Sequence, residues 1–192
     1  VDASDSWIND QDPPLADIVD VTPDPRQTGI TGVTVNFNEP VTGVSIGDFK
    51  LFRNALSVPL VGKSVIPVST TQYLVNLTGL TTNEGTYTLQ LKASGAGITD
   101  TIGNVMSADA FETWTVDLTG PTADIIDVTP DPRTTTAGLV TISFNEGVIG
   151  VTADDFTLTR NGSPLNVAGA TVTEITPSEY ALDLSILTNS DG

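Results

Sequence analysis

ADIVDVTPDPR runs from Ala16 to Arg26, and ADIIDVTPDPR runs from Ala123 to Arg133. The shift between the two stretches is 107 residues, and it persists without a gap. Phe37-Asn38-Glu39 returns as Phe144-Asn145-Glu146, and Asp48-Phe49 returns as Asp155-Phe156. Leu51, Arg53 and Asn54 map onto Leu158, Arg160 and Asn161, Tyr73 onto Tyr180, and Gly85 onto Gly192. Roughly 30 of the 70 aligned positions are identical, far above chance for a register without gaps. A period of this length is one small domain repeated, each copy large enough to bury its own core.

The same shift reaches backwards. VDASDSWINDQDPPLA at the start aligns with ADAFETWTVDLTGPTA from Ala108 to Ala123, pairing Trp7 with Trp114 and Asp10 with Asp117. Residues 1–12 are therefore expected to be the last strand of a preceding repeat plus a linker. Residues 13–119 are then a first repeat, and 120–192 a second one that lacks its final strands. The chain reads as a slice of an array. A second repeat without the counterpart of Thr86 to Asp117 would have open sheet edges and an exposed core. The expectation is that a neighbouring chain supplies the missing strands or that the half-domain is disordered. The Val1–Asp10 stretch matches one of the missing strands, which makes it a candidate for strand exchange.

Composition excludes several classes. The chain has neither cysteine nor histidine, so disulfides, thiolate or imidazole metal sites and Ser-His catalysis are not available. Twenty-four carboxylates against 7 cations give a net charge of −17, which repels nucleic acid and anionic lipid. No apolar stretch approaches the roughly 18 residues that a membrane-spanning helix needs. The acidic excess has two readings: a solubilising surface, or carboxylates whose repulsion is relieved by bound cations.

Along the first repeat, Asp10-Gln11-Asp12-Pro13-Pro14 is a short, proline-stiffened linker. Ile18 and Val21 belong to a first strand, closed by Thr22-Pro23-Asp24-Pro25. Val33, Val35 and Phe37 alternate with polar residues; so do Tyr73, Val75 and Leu77, and Tyr87, Leu89 and Leu91. Further strands are expected from Phe49, from Leu56 to Val61 and over Val65 to Val68. A Gly-rich loop from Ala93 to Ser107 then leads to a last strand holding Trp114 and Val116. With no helical periodicity, about seven strands per repeat make an all-β fold of tandem immunoglobulin-like sandwiches. Tyr87, just after a turn at the start of the sixth strand, has the position of a tyrosine corner, whose hydroxyl bonds back to upstream backbone.

FNEPVTGVSIGDF (37–49), GITDTIGN (97–104) and VDLTGP (116–121) together resemble the bacterial Ig-like domains of large secreted and surface-anchored proteins. That family typically shows F-S/N-E-x-V-x-G, then D-F, then T-D-x-x-G-N, then D-x-T-x-P. The first repeat carries all four in order, and the second carries the first two, with Gly147 in place of Pro40. The resemblance implies an extracellular or cell-surface location and rod-like stalks of adhesins, commonly calcium-stiffened between domains. It leaves the adhesion ligand open.

Tracing antiparallel strands puts the linker, the loop after the second strand and the loop after the sixth strand at one pole. Asp10 and Asp12 lie in the first, Glu39 and Asp48 in or beside the second, and Asp100 and Asn104 in the third. Six to eight oxygens at about 2.3–2.6 Å suit Ca2+, and this set supplies oxygens without nitrogen or sulfur. Asp117, Glu146 and Asp155, with Asp154 in addition, repeat the pattern at the second junction. The competing reading makes Glu39 and Asp48 turn formers, with Asp100 and Asn104 holding a tight loop by Asx-type bonds.

Other residues have plainer readings. Asp17 and Asp20, with their copies Asp124 and Asp127, read as edge charges that oppose aggregation. Arg26 is expected to pair locally at its turn, and Trp7 and Trp114 to pack in the core. Glu39 and Asp48 could serve glycoside hydrolysis in principle, but recurrence in each repeat suits structure or ion binding better. The expected function is a non-enzymatic structural or adhesive stalk module with calcium at the junction. The alternatives are a glycan- or protein-binding module and the accessory domain of a secreted enzyme.

Overall fold

The computed structural model describes residues 3–6 and 9–188. These divide into two compact units, Val1–Leu118 and Thr119–Gly192. Trp7 lies outside the described residues, and neither residues 3–6 nor residues 9–10 form a strand.

The first unit holds β1 (Ala16–Ile18), β2 (Gly32–Phe37), β3 (Val41–Thr42), β4 (Phe49–Arg53), β5 (Leu56–Val58), β6 (Val65–Pro67), β7 (Gln72–Asn76), β8 (Gly85–Leu91), β9 (Thr99–Asp100) and β10 (Ala110–Val116). One sheet has the order β1-β2-β7-β6 and the other β10-β8-β4-β5, all antiparallel. These are the ABED and GFC sheets of an immunoglobulin sandwich, with one extra edge strand beside β4. The Gly-rich loop is not wholly irregular, because its β9 pairs with β3. The strand expected over Leu56–Val61 ends at Val58.

Alternation builds the core. In β2 every second side chain (Val33, Val35, Phe37) is buried, and β8 buries Tyr87, Leu89 and Leu91 in the same way. The two inward faces meet at Val35 and Val75 on one side, and at Leu51, Leu89, Trp114 and Val116 on the other, all fully buried. The Tyr87 ring stacks on Trp114 with centroids 5.6 Å apart, and its hydroxyl donates to the Asn83 carbonyl at 2.8 Å. That is the tyrosine corner read from the sequence. The Trp114 Nε1 donor is buried without a partner among the described residues.

The TPDP segment moves the chain from one sheet to the other. Beyond β1, the Val21 N–H donates to Glu112 Oε1 at 2.7 Å, and the Thr115 N–H donates to Asp24 Oδ1 at 2.8 Å. Arg26 then bridges Val116 in parallel. Prolines at 23 and 25 cost no ladder bond here, because they sit where the strand has left its first partner; both follow cis peptide bonds. Asp17 is exposed on edge strand β1, whereas Asp20 lies past its end. The Arg26 Nε donates to the Thr28 carbonyl at 2.6 Å.

The second unit holds β11 (Ala123–Ile125), β12 (Leu139–Phe144), β13 (Leu158–Arg160), β14 (Ser163–Leu165), β15 (Thr171–Thr176) and β16 (Glu179–Asp183). Its four-stranded sheet, β11-β12-β16-β15, repeats the first unit's β1-β2-β7-β6 order, and β13-β14 is a separate hairpin. Local detail repeats as well. Phe37 meets Tyr73 edge-on at 5.7 Å, and Phe144 meets Tyr180 at 5.8 Å. The two tyrosine hydroxyls donate to the Val41 and Val148 carbonyls at 2.9 and 2.8 Å.

Candidate metal centre

The loop after β8 is closed by one carboxylate. Asp100 Oδ1 accepts from the N–H groups of Ile102 (2.9 Å), Gly103 (2.6 Å) and Asn104 (2.8 Å), and Oδ2 accepts from Asn104 Nδ2 at 2.8 Å. Gly103, at φ +103°, takes the left-handed backbone that the turn requires. The T-D-x-x-G-N spacing is the recipe for this loop, and the Asx-type reading of Asp100 holds. Burial would raise its carboxyl, but the bonds from Asn104, Gly103 and Ile102 outweigh that and hold it below the usual range.

Asn104 also ties down the linker. Its Nδ2 donates to the carbonyls of Asp10 and Asp12 at 3.3 Å each, and the Asp12 N–H donates to Asp10 Oδ1 at 3.0 Å. A second tie comes from Asn38, whose Oδ1 accepts from the Leu15 N–H at 2.7 Å and whose N–H donates to the Leu15 carbonyl at 3.1 Å. Asn145 repeats both bonds with Thr122. Sequence reasoning passed over Asn38; the signal was present in the return of the whole Phe-Asn-Glu triplet.

These ties bring Glu39, two residues beyond β2, against the linker and the loop. One carboxylate oxygen each from Asp10, Glu39 and Asp100 lie within 4.8 Å of one another. Two oxygens on opposite sides of a calcium ion, each at about 2.4 Å, are about 4.8 Å apart, so the spacing fits one ion. Asp100 is buried and Glu39 half-buried. The Glu39 carboxyl is raised by burial first and then by the charges of Asp100, Asp10 and Asp12. Three segments thus hold like charges together with no cation side chain among them, and a hard divalent ion fits that donor set.

The other expected ligands have separate places. Asp48 closes a single turn of 3-10 helix, Ile46–Asp48, with Oδ2 accepting from the Ser45 N–H at 2.7 Å and from Ser45 Oγ at 2.8 Å. Asp155 does the same with Thr152 at 2.8 and 3.0 Å. Both carboxylates serve their own turns and neither enters the cluster. Asp12 accepts from Asn104 Nδ2 on its carbonyl and bears on Glu39 through its charge. Asp117 is half-buried, and its N–H donates to the Arg26 carbonyl at 2.9 Å. Glu146 is half-buried just beyond β12.

The family described as bacterial Ig-like domain matches residues 10–116, more than half of the chain. Among solved structures, the N-terminal part of the bacterial S-layer protein SbsC is similar at 17% identity and a TM-score of 0.37, over 92% of this chain and 38% of that one. The titin domains z1z2, solved in complex with telethonin, are similar at 13% identity and a TM-score of 0.31, over 92% of this chain and 83% of that one. This chain therefore spans well under half of the S-layer structure. The comparison with curated proteins found no match.

Proposed function

The chain belongs to the bacterial Ig-like domain family, and on that premise we propose that it is a non-enzymatic stalk module of an extracellular or cell-surface protein. Calcium at Asp10, Glu39 and Asp100 lashes the entering linker to the first sandwich. One observation carries this reading: carboxylates from three separate segments converge within 4.8 Å, held there by asparagine ties that leave their charges unneutralised. Without a cation the three repel, and the Asn38 and Asn104 bonds hold the linker against that repulsion. With one, the same charges become ligands and the joint stiffens. The linker carbonyls of Asp10 and Asp12, which accept from Asn104 Nδ2, supply further oxygen donors.

Thermal unfolding in millimolar calcium, in chelator, and in magnesium tests this. Extracellular calcium modules bind at about 10⁻⁴–10⁻³ M, so a ten-fold excess stabilises by about 1.4 kcal/mol, a rise of several degrees for a unit of this size. Magnesium, which needs tighter octahedral geometry at about 2.0–2.1 Å, is expected to give less. Equal melting temperatures in calcium and chelator would return the three carboxylates to solvated charge.

A further inference from the structure

The outer face of the β10-β8-β4 strands is built from side chains that the core does not use. Antiparallel register lines up Phe111, Gln90 and Lys50 in one row, and Thr113, Thr88 and Phe52 in the next. None of these is a carboxylate, in a chain that holds 24. Glu112, between Phe111 and Thr113, turns to the other side of the sheet, where it accepts from the Val21 N–H. Phe111 is 58% exposed, and Phe52 is half-buried. Repetition separates this face from the packing beneath it. Phe49, Leu51 and Arg53 return as Phe156, Leu158 and Arg160, whereas the outward Lys50 and Phe52 return as Thr157 and Thr159. Phe111 stands where the stretch at the start of the chain has Ser4. The sandwich therefore does not need these rings and this ammonium group at their positions.

Asp109 fixes the polar part of the face. Its Oδ2 accepts from Gln90 Nε2 at 2.8 Å, and its Oδ1 accepts from the Ala93 N–H at 2.8 Å. Those two bonds first, and then the charges of Lys92 and Lys50, hold this carboxyl below its usual range. Two lysines stand against one carboxylate there, so the face is positive in a chain whose net charge is −17. We propose that this face is a binding platform for an anionic polysaccharide, a glycan whose sugar rings carry carboxylates. Phe111 takes the apolar face of a sugar ring. Gln90 and the threonine hydroxyls bond the sugar hydroxyls, and Lys50 and Lys92 take the carboxylates. An extended peptide fits less well. Strand addition needs an open sheet edge, and β8 and β4 are both paired on each side.

The test titrates the full 192-residue chain with alginate oligomers, a polyuronate, and follows backbone amide NMR. Salt at about 0.15 M screens carboxylates more than about 8 Å from the face. Chelator, present throughout, keeps calcium from bridging the polymer to the acidic loops, so the outcome does not depend on the calcium site. Saturable shifts are expected in residues 50–52, 88–92 and 111–113. Phe111→Ala is expected to weaken binding severalfold while its melting temperature stays at the parent's. Lys50→Gln combined with Lys92→Gln is expected to bind alginate no more tightly than the parent binds neutral dextran oligomers. Absence of shifts on this face at the highest alginate concentration would overturn the site. Dextran bound by the parent as tightly as alginate would overturn the anionic class. Polyglutamate that moves the same residues at lower concentration would overturn the glycan and put an acidic polypeptide there. Full affinity in Phe111→Ala would overturn the stacking platform.

Discussion

Glu39 and Asp100 carry the same functional group under opposite pressures, and pH separates them. The Glu39 carboxyl is raised by burial and by neighbouring carboxylates, so the folded state holds its proton more tightly than the unfolded state does. Its contribution to stability is greatest with the proton on and declines as pH rises through its raised value. Asp100 is lowered, so its contribution is full above the ordinary carboxylate value and is lost as pH falls through the lowered one. In chelator at neutral pH, Glu39→Gln is therefore expected to melt no lower than the parent, and in calcium to lose the parent's gain. Asp100→Asn is expected to melt below the parent at neutral pH, with the gap narrowing in acid. Melting curves of the three proteins from mildly acidic to neutral pH check both signs; a Glu39→Gln protein that still gains several degrees from calcium would remove Glu39 from the ligand set.

Asp48 marks where local turn and metal cluster part company. Its carboxylate already holds Ser45, so Asp48→Ala is expected to cost about 1 kcal/mol while leaving the calcium response intact, as paired melts would show. The sequence placed Asp48 beside the second-strand loop correctly, yet spacing alone does not say whether a carboxylate turns toward its own backbone or across to another loop. Asp10, Glu39 and Asp100 were legible because antiparallel tracing fixes which loops share a pole. Asn38 was missed because the asparagine beside a more conspicuous glutamate carries no charge to draw notice. The strands themselves were legible wherever one face is buried, as in β2, β7 and β8, since alternation records that burial. β9 is two residues long and records none. For the tyrosine corner, Tyr87→Phe is expected to cost about 1 kcal/mol, and Trp114→Ala about 3–5 kcal/mol, measured by denaturant unfolding.

The described residues carry one sandwich with two four-stranded sheets and one unit whose β13-β14 hairpin pairs with no further strand among them. Hydrogen exchange is expected to reflect this: the central β2 and β8 amides slowest, the β13 and β14 amides faster by orders of magnitude. Uniform protection across both units would contradict the description of the second. The joint-stiffening role rests on the linker responding to an ion at one pole of the first unit. Backbone amide NMR of the full chain during a calcium titration reads that response at each residue. The stalk account predicts saturable shifts confined to Asp10–Asp12, the Glu39 segment and Asp100–Asn104, with Ser45–Asp48 and Thr152–Asp155 unmoved. Spectra that stay unchanged through millimolar calcium, or shifts scattered over the acidic surface without saturation, would contradict it.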